Sequence, residues 1–154
     1  MTEPFEPDSG WGFIYKLFAA EITEVASGVI EIRAVAREPR VCSKVAVYSR
    51  DPSIDCVRVC LGAQNRHIDE IGTSLGSERI DLIPWTNSAD ELIARALTPA
   101  RVEHVALDHG KHQATITVTR DQLRIVVGRR GHNIELASRL CGWPLWVEVR
   151  EDAA

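Results

Sequence analysis

The sequence predicts an α+β fold of two tandem units, each a three-stranded sheet packed against helices. Three observations point there. The order helix, strand, strand, helix, glycine turn, helix, strand occurs twice along the chain. Gly62 and Gly128 mark the same joint in the two copies, about 66 residues apart. At 154 residues and 17.1 kDa the chain has room for two small domains, and each copy alone would have a marginal core, so the copies are expected to pack on each other. The expected division is a disordered tail over 1–10, a first domain over 11–86 and a second over 87–150.

Each element has its own signal. Ile14, Leu17 and Phe18 share one helical face after Gly12. Residues 28–37 and 44–50 are β-rich runs separated by Glu38-Pro39-Arg40, which reads as an antiparallel hairpin. Asp55 is placed to cap a short helix over 56–61 that stops at Gly62. A second helix follows through Ile68, Ile71 and Leu75 to Gly76, and 79–85 alternates as a closing strand. In the second copy Ser88 precedes Glu91 in the pattern of a capping box, and that helix runs to about Leu97 before Thr98-Pro99 breaks it. Residues 102–107 and 114–118 flank Asp108-His109-Gly110 as a hairpin. A helix through Leu123, Val126 and Val127 stops at Gly128-Arg129-Arg130-Gly131. The next places Ile134, Ala137 and Cys141 on one stripe, with Leu136 and Leu140 beside it, and ends at Gly142 before a last strand over 143–149. Trp85 and Trp146, each in a closing strand, are expected to fill the gap between sheet and helices.

Composition excludes several function classes. The chain is 45% hydrophobic and 26% charged with mean hydropathy −0.10, a soluble globular balance. No apolar run approaches the roughly 20 residues of a membrane span, and the acidic, Pro-rich opening is not a signal peptide. A cytoplasmic protein with no membrane partner is expected. The net charge of −4 argues against a binder held everywhere by charge, but leaves room for a local basic site. Cys42, Cys56, Cys60 and Cys141 lack metal-binding spacing and read as free, buried thiols. His109 and His112 lie in the hairpin turn without the further ligands zinc needs. Nothing pairs a nucleophile with a base, so the expectation is no catalysis, metal, cofactor or small-molecule substrate.

The chemistry concentrates in Gly128-Arg129-Arg130-Gly131, a four-residue joint between helices. Glycine permits positive φ and close approach of a ligand. The helix that starts there with His132 and Asn133 presents unpaired N–H groups and the positive end of its dipole, which suits a phosphodiester. Arg129 and Arg130 can fork onto phosphate oxygens, and Arg124 and Arg139 widen the patch. Residues 120–139 hold five arginines against Asp121 and Glu135, a local excess of positive charge in an acidic chain.

A GxxG joint between two helices, after a hairpin and before a strand, resembles the KH domain, whose loop clamps the nucleic-acid backbone. The element order is similar to the type II, prokaryotic form. The resemblance narrows to the tandem KH region of the NusA family of bacterial transcription factors, carried by residues 29–39, 43–47, 78–85, 96–102 and 121–128 and by Gly131-His132-Asn133-Ile134 through Trp143. It implies single-stranded RNA binding over two KH domains, RNA polymerase as a further partner, and a role in transcription elongation, termination or antitermination. The family's upstream polymerase-binding and OB-fold domains are expected to be absent from this chain. In the first copy the loop reads Gly62-Ala63-Gln64-Asn65, with Arg66 next, where the family has a second glycine and a basic residue. Asn65 adopts left-handed backbone more readily than most residues. The first loop is therefore expected to bind weakly and to position RNA for the second. The alternative is an interaction scaffold for RNA polymerase or the ribosome that kept the fold and lost RNA binding.

Overall fold

The computed structural model describes residues 11–151, so the predicted 1–10 tail lies outside the described residues. The chain divides into two compact units, one ending at Trp85 and the other beginning at Thr86. Unit 1 contains α1 (Trp11–Glu21), α2 (Thr23–Ala26), β1 (Ile30–Glu38), β2 (Cys42–Ser49), α3 (Cys56–Leu61), α4 (Arg66–Ser74) and β3 (Arg79–Pro84). Unit 2 contains α5 (Ala89–Ala96), β4 (His104–Asp108), β5 (Gln113–Thr119), α6 (Arg120–Val127), α7 (His132–Cys141) and β6 (Leu145–Arg150). The sheets run β1-β2-β3 and β4-β5-β6. In each, the hairpin pair is antiparallel and the last strand lies parallel to the middle one. A parallel neighbour needs a crossover, and here the crossover is the helix pair that carries the glycine joint.

The predicted elements recur with small shifts, and α2 is one that periodicity over so few residues did not reveal. Ile14 and Phe18 bury the inner face of α1, and Ile22 and Val25 continue it through α2. They join Ile30, Ile32, Val45, Val47, Cys60, Ile71, Leu75 and Ile80 in the core of unit 1. Asp55 caps α3 as expected, accepting the Arg58 N–H at 3.1 Å. Unit 2 closes over Leu92, Ile93, Ala114, Ile116, Val118, Val126, Leu136 and Leu140.

Glu78 pins the β1–β2 hairpin to the start of β3. Its side chain is fully buried and accepts from the Arg37 guanidinium at 3.0–3.1 Å, the Arg40 N–H at 2.9 Å and the Ser43 hydroxyl. The bond to Arg40 holds that residue at φ 66, left-handed for a non-glycine residue. Nearby, fully buried Lys44 pairs with Asp81 at 2.9 Å.

Four expectations change. The buried stripe of α7 is Asn133, Leu136, Ala137 and Leu140, leaving Ile134 and Cys141 half-buried, because the helix begins at His132 and its inner face is set by Asn133. Ser88 stands at the start of α5, yet its hydroxyl donates to the Asp90 carboxylate and makes no capping bond to the backbone. Trp146 is 60% exposed, since Leu145, Val147 and Val149 face the helices and Trp146 alternates outward; Trp85 lies just past β3 and is half-buried. All four cysteines are free thiols, but only Cys42 and Cys60 are buried; Cys56 and Cys141 are half-exposed.

Candidate nucleic-acid interface

Each crossover joins its helices through one turn of 3₁₀ helix, Ala63–Asn65 in unit 1 and Arg129–Gly131 in unit 2. The two backbones are nearly superimposable in torsion. Gly62 and Gly128 lie at φ 76, ψ 172 and φ 77, ψ 174, a region open essentially to glycine alone. Gln64 and Arg130 follow at φ 56, ψ 32 and φ 56, ψ 22, then Asn65 and Gly131 at φ 61, ψ 23 and φ 76, ψ 8. Two consecutive left-handed residues therefore precede α4 and α7. The departure at Asn65 leaves the turn intact, because asparagine tolerates this conformation.

The two glycines of unit 2 differ in what requires them. A Cβ on Gly128 would sit 2.6 Å from the Asn133 Cβ and 2.9 Å from its backbone nitrogen. Gly62 has the same relation to His67, with the ring 2.5 Å away. The first glycine is thus demanded by the packing of the joint. Around Gly131 nothing among the described residues lies within 4 Å of a Cβ position, so they leave that side of the loop uncovered.

Charge is presented at this uncovered turn. Arg129 and Arg130 are exposed and have no ion-pair partner among the described residues, and Arg124 is exposed at the end of α6. The first turn of α7 carries no side-chain cap, although the His132 N–H already donates to the Arg129 carbonyl within the 3₁₀ turn. Unit 1 offers exposed Gln64, Asn65 and Arg66 around Gly62, with α4 likewise uncapped. Ile125, 39% exposed on α6, places an apolar side chain beside Arg124.

The structure brings Gly128, Arg129, Arg130, Gly131 and Arg124 together. It separates three other residues from them. Asn133 is 4% exposed, and its Nδ2 donates toward the carbonyls of Leu97 at 3.0 Å, Val126 at 3.1 Å and Ile125 at 3.3 Å. It ties the ends of α5 and α6 to the start of α7, so its side chain belongs to the scaffold under the loop. His132 is half-buried, its Nδ1 enclosed without a hydrogen-bond partner among the described residues. Arg139 is exposed two turns along α7, roughly 12 Å from Gly131 at the rise of an α-helix. In unit 1 the scaffold role falls to His67, whose Nδ1 lies 3.0 Å from Glu21 Oε1 at the end of α1. One cation was missed: Arg58, exposed in the last turn of α3, is the repeat counterpart of Arg124, and the 66-residue offset is the signal that finds it.

No group of three or more His, Cys, Asp or Glu side chains among the described residues could hold a metal ion. No helix among them is long and apolar enough to cross a membrane.

Comparison with known proteins gives the same two units. The model of the NusA-like first KH domain matches residues 10–85, and that of the NusA-like second KH domain matches 89–154. The transcription termination/antitermination protein NusA of Thermus thermophilus is 39% identical over 135 residues, covering 88% of this chain and 35% of that protein. The protein of the same name from Borreliella burgdorferi is 40% identical over 143 residues, 92% of this chain and 30% of that one. The chain thus spans about a third of the length of these curated relatives. The crystal structure of APE1850 is similar in fold, with a TM-score of 0.59 at 15% identity over 88% of this chain and 96% of that chain.

Proposed function

The chain belongs to the NusA-like KH family over both of its units, and we propose that it binds single-stranded RNA without catalysing a reaction, in the cytoplasm, as part of the control of transcription elongation, termination or antitermination. The observation that carries this reading is the unit 2 joint: an uncovered left-handed turn, Arg129 and Arg130 exposed without ion-pair partners among the described residues, and a helix start with no side-chain cap. Backbone N–H groups and guanidinium forks together hold a phosphodiester in place, and the bases splay into the groove beside Ile125. Arg124 adds a charge one turn away. In unit 1 the same turn lacks a charge within the loop, and Arg58 and Arg66 flank it, so this unit holds the strand more weakly. RNA polymerase is the protein partner that fits relatives named for termination and antitermination.

The test is Arg129→Asp with Arg130→Asp, measured as affinity for a single-stranded RNA across salt concentrations. Removing two charge-assisted hydrogen bonds is expected to weaken binding roughly tenfold or more. The salt slope should fall by about 0.7 for each phosphate no longer neutralised. Unchanged affinity in a variant that melts like the parent overturns the loop assignment. A polymerase or ribosome partner captured equally before and after ribonuclease treatment, from a chain that binds no RNA, would instead select a scaffold.

A further inference from the structure

Unit 2 carries an aromatic surface at the other end of α7 from the glycine loop, made of residues that the loop does not use. Trp146 is 60% exposed, and its indole N–H donates to Gln113 Oε1 at 2.9 Å, which fixes the ring's orientation. Its neighbour across the sheet is Thr115, and beyond that Ala106. Both are small, so no bulky cross-strand side chain covers the ring. Gln113 adjoins His112, whose ring stacks on Trp143 at 4.2 Å between centroids, while His109 meets the same indole edge-on at 5.5 Å. The His112 Nε2 lies 2.8 Å from the Gly142 carbonyl, holding the β4–β5 turn against the end of α7.

An aromatic ring locked by a side-chain hydrogen bond and left open on a sheet is a stacking platform. The planar partners available to it are the bases of the strand already proposed for the loop. We infer that Trp146, with the His109–Trp143–His112 stack beside it, is a second RNA contact that takes unpaired bases of the strand leaving the Gly128–Gly131 turn. This rests on the RNA-binding reading above. Charge gives the path. Exposed Lys111 has no ion pair among the described residues, and the carboxylate of Asp108 accepts the Lys111 backbone N–H at 3.1 Å. Glu148 stands exposed two residues beyond Trp146 and repels phosphate on that side, so the backbone passes over Lys111. The ten residues of α7 already span about 15 Å, and Trp146 lies on the sheet face turned away from the helices, so the strand must also pass round the β4–β5 turn to reach it. A four-nucleotide RNA therefore engages the loop alone, and a ten-nucleotide strand reaches both.

The experiment compares Trp146→Ala and Trp146→Phe in the whole chain, with four- and ten-nucleotide single-stranded RNAs of the same loop-binding sequence. Trp146→Ala should weaken the longer RNA roughly fivefold or more and leave the shorter unchanged, while Trp146→Phe stays within about twofold of the parent because a π-face remains. Equal affinity of Trp146→Ala and parent for the longer strand overturns the inference; if a protein partner then binds the parent more tightly than that variant, the surface belongs to protein docking. Equal weakening of both RNAs overturns it too, since Trp146 would then act through the fold. The Arg129→Asp, Arg130→Asp variant separates the two claims, because it should weaken both RNAs. If it weakens neither, the loop reading fails while the Trp146 result still stands. A parent chain that binds neither RNA overturns both.

Discussion

Gly128 and Gly131 look equivalent in the motif and do different jobs. The first is held by φ 77 and by contact with Asn133, the second by φ 76 alone. Gly128→Ala should therefore cost at least about 2 kcal/mol of stability, read from denaturant midpoints. Gly131→Asn should cost about 1 kcal/mol or less, since Asn65 already occupies that place in unit 1, yet weaken RNA binding by putting a side chain where a phosphate approaches. Asn133→Ala removes a buried donor from the Leu97 and Val126 carbonyls, with an expected loss of about 1–3 kcal/mol. Burial pushes the Cys60 thiol up to about 12. It should resist alkylation at neutral pH in the folded chain and react once denaturant is added.

At the scale of elements, the hairpin of unit 1 depends on a carboxylate. Burial raises the pKa of Glu78, but the bonds from Arg37, Ser43 and the Arg40 N–H, with the charge of Arg37, outweigh it and hold the carboxyl below its ordinary value. A depressed folded pKa contributes stability that is present above the ordinary glutamate range and is lost as pH falls through the folded value. Unit 1 should therefore lose stability on acidification below about pH 4.5, and Glu78→Gln should flatten that loss in pH-dependent melting. Glu78→Ala strands the buried partners and should cost about 2–4 kcal/mol at neutral pH. The hairpins themselves were legible from alternation. The order of burial on α7 was not, because Asn133 reads as polar by type and is buried by its bonds to three carbonyls.

Across the whole molecule the repeat is asymmetric in charge and symmetric in backbone. Unit 1 keeps the turn and lacks the loop cations, so Gln64→Arg with Asn65→Gly should restore a hold on phosphate without refolding anything. The expected readout is tighter RNA binding with a salt slope steeper by about 0.7 for each further phosphate neutralised. A slope equal to the parent's would mean that unit 1 does not meet the strand.

The amino-acid sequence determined the doubled element order, the glycine joints and the arginines of the second loop, because periodicity, turn residues and charge are local properties written in adjacent side chains. Tertiary structure decided which polar residues were used up and which were offered. Asn133 went inside because three carbonyls converge on it, Glu78 because a hairpin and a strand meet there, and Trp146 went outside because one residue of strand register sets which face a side chain takes. Those outcomes depend on groups brought together across dozens of residues, where no window of sequence holds both partners.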